Sequence, residues 1–190
     1  MATPPTFVSG AILTAAQMNS IGMWQTSSTT IPALSTTISV NNCFSADYLN
    51  YRVIFTATSA TANIRFRLNY RDSGGDVTGA NYQFGAGGLI GSASYGVDYS
   101  GTSGQTKTLI GESGVAGSRF SLSMDVYNPF ATEQTTALWQ SGGTLQPSTT
   151  PSVVMGVANY LATTSMTGFT IQRDSGTGTF SGIIKVYGYN

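Results

Sequence analysis

The chain has 190 residues, 41% of them hydrophobic but only 8% charged, against about 25% charged in soluble proteins at large, so its surface must be solvated by Ser, Thr, Asn, Gln and Gly. Eight basic and eight acidic residues cancel to a formal net charge of zero, which leaves little repulsion between copies and suits contacts with other protein. Basic residues this sparse exclude the phosphate-tracking stripe of a nucleic-acid binder, and no window approaches the roughly 20 apolar residues of a membrane-inserted helix.

In chain order, the first 25 residues differ from the rest. Met1-Ala2-Thr3-Pro4-Pro5-Thr6 lacks the basic start and apolar run of a secretory signal, so synthesis in a cytoplasm is expected. Thr14-Ala15-Ala16-Gln17 has the spacing of a capping box, and Met18, Ile21 and either Met23 or Trp24 follow at helical intervals. One short helix is predicted, roughly over residues 15 to 22. Two turns are not stable alone in water, because nucleation is costly and few hydrogen bonds repay it. The arm bearing Phe7, Val8, Ile12, Leu13, Met18, Ile21 and Trp24 must therefore dock, either on the end of its own domain or on a neighbour in an assembly.

From Thr26 to Asn190 the pattern changes to period two, rich in β-branched and aromatic residues and broken by Gly, Ser and Asn. The expected strands are Thr36 to Val40, Asn50 to Thr58, Asn63 to Arg71, Tyr82 to Phe84, Lys107 to Gly111, Phe120 to Val126, Thr135 to Gln140, Ser152 to Asn159, Gly168 to Arg173 and Gly178 to Tyr187. In the clearest of them Ile64, Phe66, Leu68 and Tyr70 share one face and Arg65, Arg67, Asn69 and Arg71 the other. So many strands with almost no helix imply an all-β sandwich or barrel over residues 26–190. Two glycine- and serine-rich stretches, Gly85 to Thr106 and Gly142 to Pro151, read as long loops, where rigid β scaffolds usually display binding surfaces.

The chain contains no histidine. Without imidazole there is no Ser-His-Asp or Cys-His nucleophile system and no ordinary zinc site, so the reading is non-enzymatic, with no cofactor and no metal. The carboxylates Asp47, Asp72, Asp76, Asp98, Asp125, Asp174, Glu112 and Glu133 fall mostly in expected turns, where backbone capping accounts for them better than a glycosidase pair. Asp72 with Asp76 could hold calcium through oxygen ligands, but a plain hairpin loop explains the spacing more simply. Cys43 has no partner for an intrachain disulfide and reads as a small buried hydrophobe.

Arg52, Arg65, Arg67 and Arg71, expected on two neighbouring strands, either form a positive surface for an anionic glycan or an acidic partner or lay their stems over apolar surface at sheet edges, which is the favoured reading. Among the aromatics, Tyr82, Tyr95, Tyr99 and Tyr160 fall in or near loops and are the candidates for exposed contacts with a receptor or partner.

Three stretches carry a resemblance. Pro4 to Asn19, containing Gly10-Ala11-Ile12-Leu13-Thr14-Ala15-Ala16-Gln17-Met18-Asn19, resembles the opening of many tailed-bacteriophage minor tail, fibre and other virion proteins. Gly178-Thr179-Phe180-Ser181-Gly182-Ile183-Ile184-Lys185-Val186-Tyr187-Gly188 is similar to the closing strand of jelly-roll modules in the same class, as is Asp47-Tyr48-Leu49-Asn50-Tyr51-Arg52-Val53 to an early one. The resemblance implies a jelly-roll β-sandwich, frequently trimeric, on the virion surface after assembly in the host cytoplasm, with an N-terminal arm that attaches to other virion proteins. It implies a tail-associated adhesin whose Tyr95 and Tyr99 loops touch a host surface glycan or protein. The alternative is a capsid decoration or head-fibre protein that stabilises the head.

Overall fold

The computed structural model describes residues 10, 22–59, 61–91, 99–144 and 149–190. The expected helix and the arm residues Phe7, Val8, Ile12, Leu13, Met18 and Ile21 lie outside them, as does Tyr95. The described residues form thirteen strands in two sheets and no helix.

The strands are β1 (Trp24–Ser35), β2 (Thr37–Val40), β3 (Asn50–Ser59), β4 (Ile64–Asp72), β5 (Gly75–Asp76), β6 (Tyr82–Ile90) and β7 (Tyr99–Gln105). They continue with β8 (Thr108–Ser113), β9 (Arg119–Tyr127), β10 (Thr135–Thr144), β11 (Pro151–Tyr160), β12 (Gly168–Ser175) and β13 (Phe180–Tyr189). The larger, eight-stranded sheet has the order β1-β13-β3-β9-β10-β11-β6-β7; the smaller runs β2-β12-β4-β5, with β8 also paired to β4. All described pairings are antiparallel.

The alternation read from the sequence explains which face each strand buries. In β3, Tyr51, Val53, Phe55 and Ala57 point inward, and in β9 Phe120, Leu122, Met124 and Val126 do so. The two sheets meet in an aromatic layer. Phe66 of the small sheet sits against Phe55, Phe120 and Phe180 of the large one, with ring centroids 5.4, 4.6 and 5.3 Å away. Nearer the other end, Tyr70, Tyr82 and Tyr160 form a second cluster, in which Tyr82 and Tyr160 stand 5.0 Å apart edge to face.

This packing corrects two of the contact residues expected from sequence. Tyr82 and Tyr160 are buried, because both begin or end a strand on its inward side. The Tyr82 hydroxyl accepts from the Tyr70 amide and donates to the Val77 carbonyl, both at 2.9 Å, so its polar end is satisfied inside the core. Trp24, the described member of the expected attachment residues, opens β1 opposite Gly188 of β13 and is half-buried in the large sheet. The described parts of the glycine-rich stretches are mostly strand where loop was expected. β6 runs through Gly85 to Gly88, β7 covers Tyr99–Gln105 and β10 extends to Thr144.

Cys43 is buried, and burial pushes its thiol from the ordinary 9.0 up to about 12. Burial also raises the Tyr70 and Tyr82 hydroxyls. An acid held neutral in the fold releases its proton first from the unfolded chain, so the thiol's contribution is intact below pH 9.0 and is lost between 9.0 and about 12. Denaturant midpoints are therefore expected to fall steadily above pH 9.0, with the buried tyrosines steepening the fall; a flat profile through this window would contradict the burial described.

Candidate binding face

The small sheet covers one face of the large sheet, and the outward residues of the other face line up in cross-strand rows set by the register. One row is Gly85, Val157, Leu138, Asp125, Arg52 and Tyr187; the next is Gly87, Met155, Gln140, Ser123, Ile54 and Lys185. A third contains Leu89, Val153, Gly142, Ser121, Thr56 and Ile183. At the far end Arg119 pairs with Thr58, which pairs with Ser181.

This face has two halves. Over β10, β11 and β6 it is apolar: Leu89 and Met155 are 58% and 57% exposed, with Leu138 and Val157 also exposed and Val153 beside them. The residues of β11 form a ridge, because the outward β6 positions Gly85 and Gly87 raise no side chain next to it. The inward side of β11 is in turn relieved by Gly156, where a Cβ would stand 2.2 Å from Cζ2 of the buried Trp139. The strand thus carries more hydrophobic bulk toward solvent than a one-sided sheet needs, which makes it the candidate contact surface.

Over β13, β3 and β9 the face is mostly polar, with Ile54 and Ile183 as its aliphatic members. Three contiguous depressions of about 420, 320 and 460 Å³ follow one another along the strands, the first sharing Thr56, Ser121 and Gly142 with the second, and the second sharing Ser123 and Gln140 with the third. Together they make one open trough. At its lower end Arg52 grips Asp125 with two parallel bonds, Nε to Oδ1 at 2.8 Å and Nη2 to Oδ2 at 2.7 Å, and the Tyr189 hydroxyl donates to Oδ1 at 3.2 Å. The Asp125 bond holds the Arg52 guanidinium still more firmly protonated. Burial, reinforced by the Asp125 charge, pushes the Tyr189 hydroxyl up to about 12.

The other arginines singled out from sequence do not join this face. β3 and β4 are consecutive in the chain but lie in different sheets, so Arg65, Arg67 and Arg71 sit apart from Arg52. Each faces a carboxylate: Arg65 Nη2 lies 3.6 Å from Glu112, Arg67 Nη1 lies 3.6 Å from Asp174, and Arg71 pairs with Asp76. No shared positive surface results. Asp72 accepts the Gly74 amide at 2.7 Å, the capping expected of a hairpin loop, while Asp76 is held by Arg71 and the Thr170 hydroxyl. Among the described residues no group of three or more His, Cys, Asp or Glu could hold a metal ion.

Tyr99 lies in β7 at the sheet edge. The half-buried outward tyrosines, Tyr127, Tyr187 and Tyr189, and the apolar ridge were not singled out from sequence. No family model and no curated protein matches the chain. Among solved structures, Caenorhabditis elegans galectin LEC-6 aligns over 85% of this chain and 96% of its own at 13% identity and a TM-score of 0.37. The structure of infectious bursal disease virus Gt strain aligns over 88% of this chain and 39% of its own at 8% identity and a TM-score of 0.12. Neither likeness bears on ligand or activity.

Proposed function

We propose that the chain is a non-enzymatic structural protein on the surface of a tailed-bacteriophage particle, a tail-associated adhesin that attaches by its N-terminal arm and turns the outer face of the large sheet toward the host envelope. The virion assignment, the jelly-roll form of the sandwich and a homotrimer rest on the resemblance of the opening, early and closing runs. The role of the face rests on one observation: an exposed ridge of Met155 and Val157, with half-buried Val153 between them and the strand end and exposed Leu138 and Leu89 beside it, on a strip free of charge. Burying such a strip stabilises a contact by about 25 cal/mol per Å² of apolar area.

The second reading, a capsid decoration protein, is favoured by the same ridge if its occupant is a capsomer. The double variant Met155→Glu, Val157→Lys separates the two. The adhesin reading expects this variant to enter particles normally but to lose sedimentation with host envelopes. The decoration reading expects it to be lost from particles, leaving heads more fragile. Removing residues 1–21, which leaves β1 whole, is expected to abolish incorporation while the purified chain still binds envelopes. Unchanged incorporation of the truncated chain would sink the attachment arm.

A further inference from the structure

We infer that the trough along β3 and β9 binds a linear acidic oligosaccharide, held between Arg119 and Lys185. This deepens the adhesin reading and rests on it for the biological role, though not for the binding itself.

The shape comes first. From Asp125 to Arg119 the trough follows β9 for about 20 Å at the usual rise of a strand, and it stays open along its length. That suits an extended chain lying on the surface, and not a compact ligand that needs enclosure.

The floor decides the chemistry. It carries the hydroxyls of Thr56, Thr58, Ser121 and Ser123, with bare backbone at Gly142. Among the described residues none of these four hydroxyls has a hydrogen-bond partner, so each is free both to donate and to accept. A polyol needs that dual capacity. An extended peptide would instead need main-chain partners, and on this face those are consumed by the β13, β3, β9 and β10 ladders. Ile54 in the floor and Ile183 beside Thr56 offer aliphatic contact to the C–H faces of sugar rings.

Charge supplies the acidity. The rows of this face hold three cations, Arg52, Arg119 and Lys185, against one carboxylate, Asp125, in a chain of zero net charge. Arg52 is spent on Asp125. Arg119 and Lys185 have no carboxylate within ion-pair distance among the described residues, whereas Arg52, Arg65, Arg67, Arg71 and Lys107 all do. Arg119 stands at the end of the trough and Lys185 pairs directly with Ile54 of its floor. Two free cations flanking a row of hydroxyls match a sugar chain bearing spaced anionic groups; they are too few for a nucleic acid.

The test is calorimetric titration of the full chain with three probes: oligogalacturonate for carboxylate, a dextran sulfate fragment for sulfate, and a neutral cello-oligosaccharide. Saturable binding of either acidic probe is expected, weaker in high salt and at least tenfold weaker for Arg119→Gln with Lys185→Gln, at an unchanged melting temperature. The stronger acidic probe identifies the anion. Equal binding of the neutral probe, full binding by the double variant, or no binding of either acid at millimolar concentration would overturn the proposal. The two readings fail separately. Acid binding by a chain that ignores host envelopes sinks the adhesin and spares the trough; envelope binding untouched by Arg119→Gln with Lys185→Gln, in a chain that ignores both acids, does the reverse.

Discussion

Phe66→Ala is expected to lower the unfolding free energy by about 3–5 kcal/mol, the usual cost of emptying a buried phenylalanine site. Phe66 is fully buried, and it is the one ring of the small sheet in contact with Phe55, Phe120 and Phe180 of the large sheet. Those three come from β3, β9 and β13, adjacent central strands whose backbones are fixed by ladders on both sides. The neighbours cannot collapse into the space, so the upper part of that range applies. Against a total stability of about 5–15 kcal/mol, the loss should appear as a large drop in denaturant midpoint. A change under about 1 kcal/mol, the range of a surface substitution, would mean the sheets do not meet at this ring.

Gly111→Ala is expected to be nearly as damaging. Gly111 sits at the irregularity where β8 shifts register against β4, with φ of 138°, a conformation that residues with a Cβ rarely adopt. A methyl group there would stand 2.6 Å from Cε2 of Phe120 and 2.6 Å from Oγ of Ser141. Backbone strain and overpacking each cost about 1–3 kcal/mol, and here they add. Gly117→Ala isolates the first effect: its φ is 80°, but the space around it is open. Thermal melts should therefore rank the variants with Gly111→Ala well below Gly117→Ala, and equal shifts for the two would contradict the packing of β8 beneath β9 and β10.

The central strands were legible because their two faces differ. Ile64, Phe66, Leu68 and Tyr70 against Arg65, Arg67, Asn69 and Arg71 leaves no choice of register, and β3, β9 and β13 read almost as clearly. Of the three strands that escaped notice, β5 is the two-residue return of a hairpin, and β1 and β7 are the edges of the large sheet. β1 buries only Ile31 among its twelve residues and contains Pro32, which an edge tolerates because it need not donate to a ladder. β7, Tyr-Ser-Gly-Thr-Ser-Gly-Gln, has almost no apolar side to reveal. In both, pairing with a formed neighbour supplies what propensity does not.

Glycine misled in β6 and β10. Gly88 and Gly143 read as loop, yet each is a point of close approach, where a Cβ would meet the Val153 carbonyl at 1.8 Å and the Glu112 carbonyl at 2.4 Å. The candidate face was less legible than the fold. Attention to loops favoured Tyr82 and Tyr160, which the inward parity of β6 and β11 buries. A signal for the ridge did exist: in Ser152-Val153-Val154-Met155-Gly156-Val157-Ala158 the odd positions are bulkier than the even ones, so the wetter side of β11 is the greasier one. Only the sheet order shows which parity faces out. The trough needs still more, since Thr56, Ser121 and Gly142 come from three strands that the sequence alone does not place side by side.

A reconstruction of the tailed-phage particle proposed to carry this chain tests the central claim most directly. It should show residues 1–21 buried against a neighbouring virion protein, with Leu89, Met155 and Val157 directed away from the particle. Finding those three side chains packed against the capsid shell, or finding particles without this chain, would contradict the account.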